Sequence, residues 1–359
     1  MSLYGINDTL YADFATIDQK LVSILSGKTL VVSGATGFLG SLLARLVIWA
    51  NDELGLNARL ILCVRNAAKL DIIMPGVIAR RDVAITELDF LRPCETVCAE
   101  FDYLVHTAAV TTSRVMVDQP ADVLKVSING TIWALDSVRA HVGSKALLLS
   151  SMEACGSFDE PTNVFEGTMG AIDMGSVRSC YPEGKRVAEL MCLAYASQYG
   201  IDVVAGRLAQ TFGVGILPSE GRVFKQFASS AIKGHPIVLH TDGMSEGNYV
   251  YSTDALSAIL LLLANGVTGE TYNIANETCH TTIRGMAEMV ADRFGGGDCD
   301  VVVEGQESSK FGYAAPTRMT LRSDKLRALG WEPKTGLEEA YRRLIQYLNA
   351  TGSELDCGH

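Results

Sequence analysis

The sequence predicts an α/β protein built on a doubly wound parallel sheet. Two observations carry this: a β-branched run at 30–33 that breaks into spaced glycines and resumes as an amphipathic helix, and a steady alternation of strand-like and helix-like stretches through residue 210. A third is size, since 359 residues of which 48% are hydrophobic suffice for about two domains, or one large α/β domain with an insertion. The net charge of −11 speaks against non-specific binding to nucleic acid or to an anionic membrane surface.

The elements follow in order. Residues 1–27 form a leader with one expected helix, Ala12 to Leu25, and without the basic flank and apolar core of a secretory signal. LVVSGATGFLG, 30–40, then opens the first βα unit. Gly34 permits a sharp turn off the strand, Gly37 lets backbone approach a pyrophosphate, and Gly40 lets the helix pack close to the strand. With Thr36, Phe38 and Leu39, these residues are expected to hold a dinucleotide at the helix N-terminus, where free N–H groups and the positive dipole end point at phosphate. ARLILCVRN follows as a second strand with Arg65 at its end, where an arginine accepts the 2′-phosphate of NADP and an acidic residue would accept the 2′-hydroxyl of NAD. DVAITELDF reads as a third strand ending at Asp89, a candidate partner for adenine, with Phe90 beside it. FDYLVHTAAV, 101–110, reads as a fourth strand whose small residues Thr107, Ala108 and Ala109 let the cofactor lie close. A helix over 121–141 and the strand KALLLSSMEACG, ending at Ser150 and Ser151, continue the alternation.

SCYPEGKRVAELMCLAYASQYG supplies the chemistry. Tyr181 and Lys185 stand four apart, on one face of a helix, with Pro182 suited to its first turn. An ammonium beside a phenol favours the phenolate, so Tyr181 is expected to act as an acid or base near neutral pH. His106, His235 and His240 are weaker acid–base candidates. The apolar run Ala255–Ala264 is too short to span a bilayer and reads as a buried helix. Nine cysteines without metal-ligand spacing fit free thiols in a reducing cytoplasm, and nothing points to a metal.

In the order glycine turn, HTAA, SSMEACG and YPEGK, and later RLAQTFGVG, NYVYSTDALSAI and LRALGWEP, the chain resembles the extended short-chain dehydrogenase/reductases. Within them it is similar to the nucleotide-sugar branch of the NAD-dependent epimerases and dehydratases. SCYPEGKRVAE looks closest to the UDP-glucuronate decarboxylases. The resemblance implies a Rossmann domain (1–210 plus 249–275) and a smaller C-terminal α/β domain for a nucleotide-diphosphate sugar (211–248 plus 276–359). It implies bound NAD, or NADP in view of Arg65. Tyr181 would take the proton of the sugar 4-hydroxyl, Lys185 would activate it and hold the nicotinamide ribose, and Ser151 would bond the tyrosine or the substrate. Where the 4,6-dehydratases carry Asp-Glu, this chain has Met152 and Glu153, a pattern that resembles the decarboxylases, whose glutamate assists collapse of the 4-keto uronic acid.

Four positions depart from the decarboxylase pattern. Gly247 replaces an arginine that meets the sugar or its carboxylate, Ser127 and Gln210 replace asparagines, and Arg65 replaces an acidic residue. Gln210, Arg222, Lys225 and Arg318 are the candidates to contact substrate, the three cations by pairing with its diphosphate. The reactions left open are decarboxylation or dehydration after C4 oxidation, 4-epimerisation, and NADPH-dependent reduction of a keto-sugar or other carbonyl; a non-catalytic NAD(P)-binding protein is the last alternative. Surplus apolar positions on the helices at 121–141 and 182–199 resemble the family's four-helix dimer contact and imply a homodimer.

Overall fold

The computed structural model describes residues 3–297, 299–304 and 317–352. Its elements run α1 (Asp8–Phe14), α2 (Gln19–Val22), β1 (Thr29–Ser33), α3 (Phe38–Leu54), β2 (Arg59–Val64), α4 (Ala68–Ile73), β3 (Val83–Glu87), β4 (Tyr103–His106), α5 (Ser113–Asp118) and α6 (Pro120–Ala140). They continue with β5 (Lys145–Ser151), β6 (Thr162–Val164), α7 (Cys180–Tyr199), β7 (Asp202–Leu208), β8 (Gln210–Phe212), α8 (Val223–Lys233), β9 (Ile237–Leu239), β10 (Glu246–Tyr251) and α9 (Ser252–Asn265). The last are β11 (Thr271–Ile274), β12 (Asn276–Thr282), α10 (Ile283–Phe294), β13 (Val301–Val303), β14 (Met319–Leu321), α11 (Asp324–Ala328) and α12 (Leu337–Thr351).

Seven of these strands form one parallel sheet in the order β11-β7-β5-β4-β1-β2-β3. Both faces are buried, and alternate residues divide between them. On β1, Leu30 and Val32 join the core beneath α3 and α9, while Val31 joins Trp133, Leu135, Val138 and Cys192 of α6 and α7. That two-sided burial explains the near-continuous apolar runs of the central strands. The strand order reverses between β1 and β4, and such a switch point leaves a crevice at the carboxyl ends of the strands. Smaller sheets, β12-β10-β8, β13-β9 and β14-β6, lie outside the main one.

Several expected boundaries move. The leader helix expected over Ala12–Leu25 is two short helices with a turn between them, because Asp18 caps a new start through its bond to the Lys20 N–H. α1 is tied down at a distance: the Asp13 carboxylate accepts the Tyr251 hydroxyl (2.5 Å) and an N–H of Arg343 (2.9 Å). β3 stops at Glu87, so Asp89 lies past the strand, where its Oδ1 accepts the Leu91 N–H. β4 covers only Tyr103–His106, and Thr107 to Val110 run on as irregular chain. Of residues 249–275, only Thr271–Ile274 hydrogen-bonds within the large sheet; Tyr249–Tyr251 pair with β8. The run Ala255–Ala264 does form a buried helix, α9.

Candidate active site

The glycine turn and the end of β4 meet at the switch point. Gly34 has φ +70°, and a Cβ there would come within 2.8 Å of Ala108 backbone and of Thr107 Oγ1. A Cβ on Gly40 would collide with the Gly34 carbonyl and lie 2.8 Å from Thr107 Oγ1. The two glycines thus let α3 and the β4 end close on the turn, and Thr107 locks it by donating to the Ser33 carbonyl (2.6 Å). α3 begins at an exposed Gly37 with no side-chain cap, which leaves the N–H groups of Phe38, Leu39 and Gly40 without intrahelical partners. An open, uncapped helix start with glycine at its mouth fits a dinucleotide pyrophosphate. Thr36 and Ala109 are half-buried beside it, Phe90 is buried against His106 and Trp133, and Arg65 is exposed at the end of β2.

His106 is fully packed in, with Nδ1 2.7 Å from Ser33 Oγ, and burial together with the nearby Lys185 charge pulls its pKa down to about 3. It is therefore a neutral strand-end residue at physiological pH. Among the described residues no group of three or more His, Cys, Asp or Glu is placed to hold a metal ion.

The reactive groups converge where β5 ends and α7 begins. Ser151 closes β5, caps the following 3₁₀ turn by accepting the Glu153 N–H (3.3 Å), and lies near enough to Tyr181 to lower its pKa. Tyr181 sits in the first turn of α7, buried with Met116, Val123 and Cys180. One turn on, Lys185 donates to the Leu149 carbonyl (2.7 Å), with its nitrogen 5.9 Å from the Tyr181 ring centre. The sequence thus places all four residues at one strand end.

Their electrostatics differ from the expectation of a phenolate favoured by lysine. Burial, reinforced by the Glu153 charge, pushes Tyr181 up to about 12, and the nearby Ser151 and the charges of Arg222 and Arg178 only partly oppose it. Burial lowers Lys185 to about 8, with Glu189 opposing. Desolvation outweighs the pairwise attraction that spacing suggested. Burial also raises Glu153, and Arg178 counters that rise.

The other predicted contacts are scattered around this centre. Gln210 opens β8, half-buried and in register with Tyr249. Arg222 reaches close enough for its charge to act on Tyr181, but its guanidinium is held by both oxygens of Glu220 (3.0 and 2.6 Å) and lies over Phe224. Lys225 is buried and donates to the Pro218 carbonyl. Arg318 is exposed just before β14, its carbonyl accepting the Thr162 N–H (2.9 Å).

Two features escaped the sequence reading. Arg178, three residues before Tyr181, pairs with Glu153 at 2.8 Å. Glu189, one turn beyond Lys185, accepts the Ser150 hydroxyl and is gripped by Arg207 at 2.6 and 3.1 Å, both side chains nearly inaccessible. The i, i+4, i+8 spacing of Tyr181, Lys185 and Glu189 was the available signal for the second. Arg178 had none, because its partner lies on another element.

Comparison with known proteins agrees with this geometry. UDP-glucuronic acid decarboxylase 1 of Xenopus tropicalis is 27% identical over 332 residues, covering 91% of this chain and 74% of that protein. The fold matches dTDP-glucose 4,6-dehydratase of Bacillus anthracis in complex with NAD (TM-score 0.71, 19% identity, 92% and 100% of the two chains). It matches UDP-glucose 4-epimerase of Thermotoga maritima with UDP-glucose equally well (TM-score 0.71, 22% identity, 90% and 99%). The model of the NAD dependent epimerase/dehydratase family matches residues 30–275, and the chain belongs to that family.

Proposed function

We propose that this enzyme oxidises the C4 hydroxyl of a nucleotide-linked sugar, alters the resulting ketone and restores the hydride. The convergence of Ser151, Glu153, Tyr181 and Lys185 at the same carboxyl edge of the sheet as the uncapped start of α3 carries the reading. Bound NAD supplies the hydride acceptor. Tyr181 takes the hydroxyl proton, Ser151 aligns the oxygen being oxidised, and Lys185 anchors the cofactor ribose while adding positive charge near the phenol. The nucleotide sugar is taken between the NAD-binding part (1–210 and 249–275) and the remaining segments, 211–248 and 276–359. Arg65 makes no ion pair among the described residues and would suit a 2′-phosphate. Glu87, however, folds a carboxylate over the same turn by accepting the Ala67 N–H (2.8 Å), and this supports NAD.

Glu153 acts after oxidation. Met152, at the position where the 4,6-dehydratases carry their acid, is buried and apolar, and this weighs against water loss. Decarboxylation, as in the decarboxylase relatives, is the first reading. A second, 4-epimerisation or ketone reduction, is favoured by Gly247: a Cβ there would lie 3.5 Å from Met152 Cε, so the β10 position facing this end of the site offers no cation to a uronate carboxylate.

The test is to identify the retained dinucleotide by mass spectrometry and then supply UDP-, dTDP-, GDP- and CDP-sugars. Carbon dioxide from a uronate supports decarboxylation, and unchanged mass with altered stereochemistry supports epimerisation. Stoichiometric NADPH consumption overturns the redox-neutral cycle. Glu153→Gln is expected to stall after oxidation, so that reduced cofactor accumulates at 340 nm; full turnover in that variant would make Glu153 a bystander.

We also propose that α7 supplies the contact of a homodimer. Val187, Leu190 and Leu193 are exposed along its outer face at 40%, 64% and 53%, and Ile132 of the adjacent α6 is exposed at 37%. Leu190→Asp should convert a dimer to a monomer in light scattering; a monomeric parent protein would remove the proposal.

A further inference from the structure

Glu153 has one ion-pair partner among the described residues, Arg178, and the geometry of that pair is unusual for a purely structural bridge. A single nitrogen, Nη2, serves both carboxylate oxygens, at 3.0 Å from Oε1 and 2.8 Å from Oε2. The fork-to-fork arrangement that gives arginine–carboxylate pairs their strength would engage two nitrogens. Instead Nε is buried and makes no hydrogen bond among the described residues. The guanidinium carbon stands 5.8 Å from the Tyr181 ring centre, so the same cation faces both reactive side chains.

The position of Arg178 is imposed by its surroundings. It lies in the 3₁₀ turn Val177–Ser179 that runs directly into α7, and that turn is pinned by the bonds of Ser176 N–H and Ser179 Oγ to the Asp173 carbonyl (3.2 and 2.5 Å). Arg178 therefore moves only with the helix that carries Tyr181 and Lys185. Among the described residues the neighbouring cations are engaged elsewhere: Arg186 with the carbonyls of Ala154, Cys155 and Gly170 and with Glu183, and Arg222 with Glu220. The other titratable groups felt near Glu153 are Tyr181 and Cys180, both on α7, while Gly247 of β10 presents no charge toward Met152.

We infer that Arg178 is a positioning residue for Glu153, fixing the direction of its carboxylate beside Tyr181 at the end of β5. Without the guanidinium, the burial that raises Glu153 would act unopposed and the carboxylate would lose its fixed direction. The purpose assigned to Glu153 rests on the C4-oxidation reading, but the test of Arg178 needs no substrate.

The full-length NAD-bound protein is titrated by infrared difference spectroscopy, with the carboxyl stretch assigned to Glu153 by its loss in Glu153→Gln. In Arg178→Met the ionisation midpoint of that band should move up by about 1–3 pH units, and in Arg178→Lys by less. An unchanged midpoint in Arg178→Met, or equal shifts in both variants, overturns the inference. If Arg178→Met does not fold, Arg178→Gln takes its place against Arg178→Lys under the same criteria. Failure of the C4 reading would show separately, as absence of cofactor reduction with every sugar tried, and would leave this titration intact.

Discussion

Tyr181→Phe should slow sugar oxidation by about 10²–10⁴-fold, the usual contribution of a positioned acid–base group, while leaving NAD binding near that of the parent protein. The phenyl ring keeps its contacts with Met116, Val123 and Cys180, so the substitution removes only the phenol oxygen. Burial and Glu153 push Tyr181 up to about 12. The phenol therefore stays protonated across neutral pH, and a bound nicotinamide ring would supply positive charge that helps it give up its proton. Mixing the NAD-loaded variant with substrate in a stopped-flow instrument and following reduced cofactor gives the rate directly. A rate within a few-fold of the parent would strip Tyr181 of its role.

The largest expected loss of stability comes from a residue that touches no substrate. Glu189→Ala leaves the Arg207 guanidinium, 1% exposed, without its carboxylate, and losing one partner of such a pair costs about 3–5 kcal/mol. The same change frees the Ser150 hydroxyl and removes the carboxylate that supports the charge of Lys185. Urea unfolding should show the midpoint falling with little change in slope. A loss below about 1 kcal/mol, the scale of an exposed pair, would show that water reaches Arg207 and the pair is not sealed. Arg207 retains bonds to the Glu166 carbonyl and the Asn273 side chain, which keep its orientation but supply no formal charge.

Much of the architecture was legible because it is local. The glycine turn, the two-sided apolar strands and the Tyr181–Lys185 spacing each depend on residues close in sequence, and periodicity reports such relations faithfully. The errors arose where a neighbour decided the outcome. The leader helix broke at Ala15–Asp18 because Asp18 caps a second start. β3 stopped at Glu87 because its pairing partner β2 ends at Val64. Spacing alone also did not announce that Arg222, a candidate to pair with a diphosphate, is held in a fork by Glu220 two residues earlier.

The sequence by itself determined the parallel sheet, the glycine turn and the identities of Ser151, Glu153, Tyr181 and Lys185. Tertiary structure decided who their partners are and which way burial moves Glu153, Tyr181 and Lys185. Desolvation depends on everything packed around a group, and ion pairs such as Arg178–Glu153 and Arg207–Glu189 join elements separated along the chain. Covalent order specifies which groups exist; only the closed fold specifies which of them share one low-dielectric space.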